Sequence, residues 1–377
     1  MLAERLAEAR RQTDSLFDIL KPEALYERPV AERHRIVFYL GHLEAFDWNL
    51  LGDRPVHAEF DKLFAFGIDP LGEGLPTDQP RDWPRIEEIR NYKCKIRSAV
   101  DEAEATDQLW NVAIEHRLMH AETLAYLLHQ LPSENKLAQP QAEVPAREGK
   151  PGMVRVPAGS VMLGRSDGFG WDNEFDEHEV KVAEFEIDRY KVSNGDYLKF
   201  IRAGGYEERS LWAEDAWEWK QGIVRPVFWK SEQVYRTMFE EIPMPLDWPV
   251  YVSHAEASAY AKWIGKALPT EAEWQRAAEG AGVGNAGFKR WDPVAVTADP
   301  GMVGNGWEWT STLFKPFPGF AAFPFYPGYS ANFFDDRHYV MKGGSARTAE
   351  CLLRPSFRNW FQPHYQYVYS GFRCVTR

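Results

Sequence analysis

Cysteine is scarce in this chain: three in 377 residues, Cys94, Cys351 and Cys374. An odd, low count argues against a disulfide framework and favours a reducing, cytoplasmic compartment. No run of eighteen apolar residues occurs, so no helix is expected to span a membrane. Positive charge is in deficit, with 44 Lys and Arg against 56 Asp and Glu, a net charge of −12. That balance argues against nucleic acid as the main partner. The opening residues alternate charge with Leu and Ala, which reads as an amphipathic helix and lacks the apolar core of a signal peptide. No internal repeat is visible. What the chain has in quantity is aromatic residues, 14% of the total with 15 Trp, most of them after residue 150. Such a bias fits a loop-rich fold held by aromatic packing, or a pocket for a small ligand.

The length suggests about two domains. Residues 1–132 read as four helices, near 2–20, 32–51, 84–105 and from Thr106-Asp107 to 131, with Pro84 as a first-turn residue and Thr106-Asp107 as a cap. A long Pro- and Gly-rich connection separates the second from the third. Residues 133–152 are polar and Pro-rich, a linker. From Met153 to Arg377 the pattern becomes α+β: a strand, turn, strand reading over 154–164, a strand near 184–192 and short helices near 196–203 and 253–264. A further helix starts at Thr270, whose Glu273 completes a capping box.

The fourth helix carries His116 and His120. Four residues apart, they leave one helix face, which Leu124, Leu127 and Leu131 continue into the core. Two imidazoles on a buried face suit a divalent transition metal such as iron or zinc. His42, in the middle of the second helix beside Gly41, supplies a third nitrogen, and the small Gly41 allows another helix to approach closely. Three neutral ligands leave open positions, as a catalytic site needs. His34 is expected to be exposed near a helix start. His129 lies nine residues from His120, roughly 14 Å along the axis, too far to share a metal.

The segments V-R-V-P-A-G-S-V-M-L-G, Y-K-V-S-N-G-D-Y, A-L-P-T-E-A-E-W-Q-R-A-A, G-N-G-W-E-W-T, M-K-G-G-S and S-G-F-R-C resemble the formylglycine-generating-enzyme (sulfatase-modifying-factor) fold, which is similar to C-type lectin domains. L-G-H-L-E and E-H-R-L-M-H-A-E-T-L resemble a DinB-like four-helix bundle. This domain order is similar to that of the ergothioneine-biosynthesis sulfoxide synthases, with ovothiol and selenoneine synthases as relatives. The resemblance implies a non-heme iron(II) enzyme that uses O₂ to join a thiol sulfur to the imidazole of trimethylhistidine (hercynine), with the active site between the domains. The family's three iron ligands fall on His42, His116 and His120. Formylglycine generation itself needs two nearby cysteines after G-G-S, where only Cys351 stands. Cys351 and Cys374 read as buried packing residues.

For the active-site tyrosine the resemblance implies Tyr326, as a proton donor during O₂ reduction. Some members use bundle tyrosines, which makes Tyr92 the alternative. Three positions that are polar in one branch are Met119, Phe46 and Phe361 here, while Asn359 and Trp360 of the same substrate motif remain. The loop from Phe60 to Pro84 lacks an arginine cluster, with only Arg81 and Arg85 near. The donor is therefore open between cysteine, γ-glutamylcysteine and a selenium or sulfur sugar. Arg354 and Arg358 are expected either to hold a carboxylate or to pair with core acids such as Glu308. A structural calcium near Asn305-Gly306 would fit the fold, and a non-catalytic lectin-like binding module is the rival class. The oligomeric state, monomer or homo-oligomer, is open.

Overall fold

The structure is a computed structural model that describes residues 2–65, 75–141, 144, 149–299 and 301–377. It divides into two compact units, Met1–Pro140 and Gln141–Arg377.

The first unit is helical: α1 (Leu2–Asp18), α2 (Ile36–Leu51), α3 (Ala58–Leu63), α4 (Ile86–Asp101) and α5 (Asp107–His129). The composition of each helix determines its place. α1 and α4 are amphipathic and bury one stripe, as outer helices do. α2 and α5 are apolar nearly all round and buried on most sides, so they form the inner pair, with α2 packed on α4 and α5, and α1 on α5. Leu124, Leu127 and Leu131 are buried as expected. At the start of α5 the Thr106 hydroxyl accepts from Leu109 N. α4 begins at Ile86, not Pro84, because the Glu88 carboxylate accepts from Arg85 N at 2.9 Å and caps the helix there. The short α3 lies in the connection read as irregular. His57 caps it, its Nδ1 accepting from Phe60 N, a signal that Pro55 hid. His34 is buried, stacked on Phe38 at 3.9 Å, and not exposed. No helix among the described residues is long and apolar enough to cross a membrane.

The second unit is α+β. β1 (Met153–Val156) pairs antiparallel with β4 (Phe185–Asp188), which also takes β11 (Val375–Thr376); β2 (Gly159–Leu163) pairs instead with β3 (His178–Val182). The strand, turn, strand segment is thus split between two sheets. α6 (Asn194–Arg202) starts two residues earlier than its sequence suggests, because the Ser193 hydroxyl caps it, accepting from Asp196 N. α7 (Glu214–Trp219) and the hairpin β5 (Val234–Arg236) to β6 (Glu241–Pro243) follow. α8 (His254–Trp263) and α9 (Glu271–Ala277) carry the capping boxes Ser253/Glu256 and Thr270/Glu273. The central sheet has the order β10 (Ser370–Gly371), β7 (Trp307–Leu313), β8 (Tyr339–Lys342), β9 (Asn359–Phe361), and α10 (Gly328–Ala331) sits in the loop between β7 and β8. Trp307, Trp309 and Trp171 are the largest fully buried side chains of this unit. The motif M-K-G-G-S needs its glycines: Gly343 has φ +96°, and a Cβ on Gly344 would lie 2.4 Å from Leu353.

Candidate metal centre

The inner helices bring three histidines together. His42 comes from the middle of α2, and His116 and His120 from successive turns of α5. Their Nε2 atoms converge, 3.3 Å apart between His42 and His120 and 3.1 Å between His120 and His116. Among the described residues this is the one group of three or more His, Cys, Asp or Glu side chains placed to hold a metal.

The surroundings favour the ligand form. All three rings are buried, and burial disfavours a charged imidazole. It holds His42 down at about 4 and puts His116 and His120 well below the usual histidine range. The tautomer of His42 is also settled: its Nδ1 donates to the Phe64 carbonyl at 2.8 Å, which leaves Nε2 as a lone pair aimed at the other two. Carbonyl support of this kind orients metal-bound histidines in general. Two nitrogens about 2.0–2.1 Å from one ion lie about 3 Å apart at ordinary coordination angles, so the observed spacing fits a divalent ion.

Aromatic rings wall the group. Phe46 stacks on His116 at 3.3 Å and 10°, and Phe38 stacks on His42 at 4.9 Å. Gly41 admits the close approach expected of it, and what approaches is the end of α3. A Cβ there would lie 2.5 Å from the ring of Phe64, the residue that closes α3 and whose carbonyl holds His42. Phe64 and Phe38 escaped sequence reasoning because neither is polar. Phe64 acts through its backbone, which no motif records.

Of the other candidates, Met119 is half-buried on α5 between the two histidines. Tyr92, on α4, is buried and donates its hydroxyl to Asp61 at 2.7 Å; burial and Asp61 hold its proton on. The loop considered for an arginine cluster falls partly outside the described residues, at 66–74. Arg85 meets Glu88 at 3.5 Å, and Asp78 is gripped instead by Arg28 and Arg35, which lie outside that loop.

The second unit gathers another set. Tyr326 lies 5.5 Å from Tyr329, which stacks on Trp171 at 4.0 Å and meets Trp360 edge-on at 5.4 Å. Burial and the nearby Asp172 push the Tyr326 hydroxyl up to about 12. Trp360 lies flat on Phe314, the half-buried Asn359 accepts from Trp360 N through Oδ1, and Phe361 stacks on Tyr365 at 4.8 Å. The arginines take the second of their two expected roles, pairing with core acids, though with Glu174 and Glu271 and not with Glu308. Arg354 donates to Glu174 at 2.5 and 2.8 Å, and Arg358 to Glu271 at 3.0 and 3.1 Å. Both guanidiniums neutralise buried carboxylates, as buried charges require. Glu308 is matched separately by Lys191 and Arg373. At the position considered for a calcium, the Asn305 side chain has partners of its own. Asn305 is buried, with Oδ1 accepting from Val294 N and Nδ2 donating to Val294 O, so its amide is used within the protein. The cysteines are free thiols; Cys374 is buried, while Cys351 is only half-buried.

Residues 138–296 and 300–377 match the Sulfatase-modifying factor enzyme 1-like domain family. Across both units the chain is 34% identical to a hercynine oxygenase of Mycolicibacterium smegmatis, covering 99% of this chain and 98% of that protein. The chain belongs to the hercynine oxygenase family. A second hercynine oxygenase, from Mycolicibacterium thermoresistibile, is 31% identical over 99% of this chain and 94% of its own length. A formylglycine-generating enzyme of Thermomonospora curvata is 35% identical over only 34% of this chain and 49% of that protein. Similarity across the whole chain, bundle included, makes this an enzyme of the first kind and sets aside the non-catalytic module.

Proposed function

We propose that the chain is an iron(II)- and O₂-dependent sulfoxide synthase that joins a thiol sulfur to the imidazole carbon of hercynine, the C–S bond-forming step of ergothioneine biosynthesis. The observation that carries this reading is the convergence of three neutral Nε2 atoms from His42, His116 and His120 in a chain similar along its length to hercynine oxygenases. A bound iron(II) would supply a Lewis-acidic, redox-active centre for O₂ and a thiolate. The protein's part is orientation. Phe64 sets the His42 tautomer, Phe46 holds the plane of His116, and the buried triad stays unprotonated at neutral pH. Tyr326 keeps its proton at neutral pH, which supports its reading as the proton donor at Oη; the Tyr92 hydroxyl, engaged by Asp61, is the less favourable choice.

Asn359 and Trp360 are the proposed substrate contacts from β9. Phe46, Met119 and Phe361 offer apolar or weakly polar surface where one branch has polar groups, and this supports a donor or a histidine derivative bound differently from that branch. Cysteine, γ-glutamylcysteine and a selenosugar are the donors to compare. The test is anaerobic Fe(II) protein mixed with hercynine and each donor, then exposed to O₂. Oxygen uptake with a mass-detected C–S or C–Se product supports the proposal, and its absence with every donor rejects it. Tyr326→Phe is expected to retain metal and substrate affinity while losing sulfoxide formation.

A further inference from the structure

The helices that carry the triad are also tied together on another face. Arg117 follows His116, and Leu43 follows His42. One residue along a helix turns the side chain by about 100°, so Arg117 leaves α5 beside the metal-facing stripe and not within it. Its guanidinium is fully buried. Nη2 donates to the Leu43 carbonyl at 2.9 Å and to Glu44 Oε2 at 3.0 Å, and Nε and Nη2 both donate to Asp47 Oδ2, at 3.2 and 2.5 Å. Nη1 reaches Glu44 Oε1 at 3.2 Å and Thr13 Oγ1 of α1 at 3.4 Å. Glu44 also accepts from Arg97 of α4 at 2.8 and 3.1 Å, and Arg97 donates to Asp14 of α1 at 2.7 and 2.8 Å. A single network, buried at Arg117, Glu44 and Asp47 and half-buried at Arg97 and Asp14, therefore joins all four long helices, and its centre is one residue from two of the three histidines.

Net stability is a weak explanation for such a network, because the desolvation of buried charges offsets much of their attraction. Geometry is a stronger one. A guanidinium presents its donors in a fixed planar fork, and here the fork grips one carbonyl and two carboxylates spanning a turn of α2. A slip of α2 by one residue shifts it about 1.5 Å along its axis. That would break the fork and carry His42 Nε2 away from its 3.3 Å approach to His120.

We propose that Arg117 is a positioning residue: with Glu44 and Asp47 it sets the register of α2 against α5, and so the distance from His42 to the His116–His120 pair. The inference rests on the reading of the triad as a metal site. Its test uses the full chain and Co(II), titrated against a competing chelator, with the d–d absorption spectrum as a report on ligand geometry and metal-free melting as a report on folding. Arg117→Met alone strands the buried Asp47 and leaves Glu44 with Arg97 only, so the deciding variant removes every charge at the centre: Glu44→Leu, Asp47→Leu and Arg117→Met together. This triple variant is expected to fold, to bind Co(II) about 10- to 100-fold more weakly, the range for loss of supporting contacts, and to show an altered d–d band. Wild-type affinity with a wild-type spectrum would overturn the proposal. Should the triple variant not fold, Arg117→Lys decides: it keeps the charge and loses the fork, so affinity at least about fivefold weaker supports the proposal, and unchanged affinity rejects it. Failure of the metal reading looks different: wild-type protein would not bind Co(II), or His42→Ala would bind it as tightly.

Discussion

The candidate residues of the bundle and those of the second unit are built on different kinds of backbone. In the bundle, His42, His116 and His120 project from regular helices, and their meeting point follows from two periodicities and one contact between α2 and α5. In the second unit, Tyr326 sits in a loop and Asn359, Trp360 and Phe361 on a three-residue edge strand, held by stacked rings and by arginines bound to buried acids. Helix geometry lets the His116–His120 pair be found by spacing alone. Irregular chain hides which polar groups face a ligand and which neutralise the interior. Arg354 and Arg358 show the cost of that ambiguity, since side chains suited to a substrate carboxylate prove to be matched to Glu174 and Glu271.

The comparison is broken most directly by His116→Ala set beside Asn359→Ala. Removing the bundle ligand is expected to weaken Fe(II) or Co(II) binding by more than about 100-fold, beyond the loss usual for a supporting contact. Asn359→Ala should leave metal affinity unchanged while raising the KM for hercynine. Metal affinity altered equally by both would end the assignment of the metal to the bundle.

The next effect belongs to the second unit. Arg358→Met leaves Glu271 buried without its guanidinium and is expected to destabilise the protein by about 3–5 kcal/mol, measured by urea unfolding. A change in KM at unchanged stability would return Arg358 to substrate binding.

Acid tests the bundle in a third way. The unfolded-state value for histidine is about 6.5, and in the folded, metal-free protein His42 is held at about 4. The unfolded chain therefore takes up the proton first. The stability from burying neutral His42 is complete above pH 6.5 and is lost as pH falls toward 4. The amount is on the order of 3 kcal/mol for this ring, with His116 and His120 acting in the same direction. Metal-free melting temperature should fall across that window, and less steeply in His42→Asn. Proton competition with metal at His42 should then begin near pH 4, below the value near 6 expected of an ordinary histidine.

The smallest effect sharpens the account of Gly41. Gly41→Ala should push Phe64 aside, slacken the hydrogen bond from His42 Nδ1, and weaken metal binding about tenfold with the fold intact by circular dichroism. Unchanged affinity would mean that Phe64 relaxes freely and does not orient His42.

Sequence alone determined the four long helices, because their apolar periodicity is strong and their ends carry cap residues such as Thr106. It also determined the two histidines on one face of α5, since i and i+4 must meet on any helix, and the capping box at Thr270, which is local. Tertiary structure decided the rest. Only the packing of α2 on α5 brings His42 to the pair, only the close approach at Gly41 makes the Phe64 carbonyl its partner, and only burial holds the three rings below the usual histidine range. The partners of Arg117, Arg354 and Arg358 were equally beyond spacing, because each lies tens of residues or more away along the chain. Local patterns are settled by bonds between near neighbours; charge pairing and ligand convergence depend on which distant surfaces the fold removes from water.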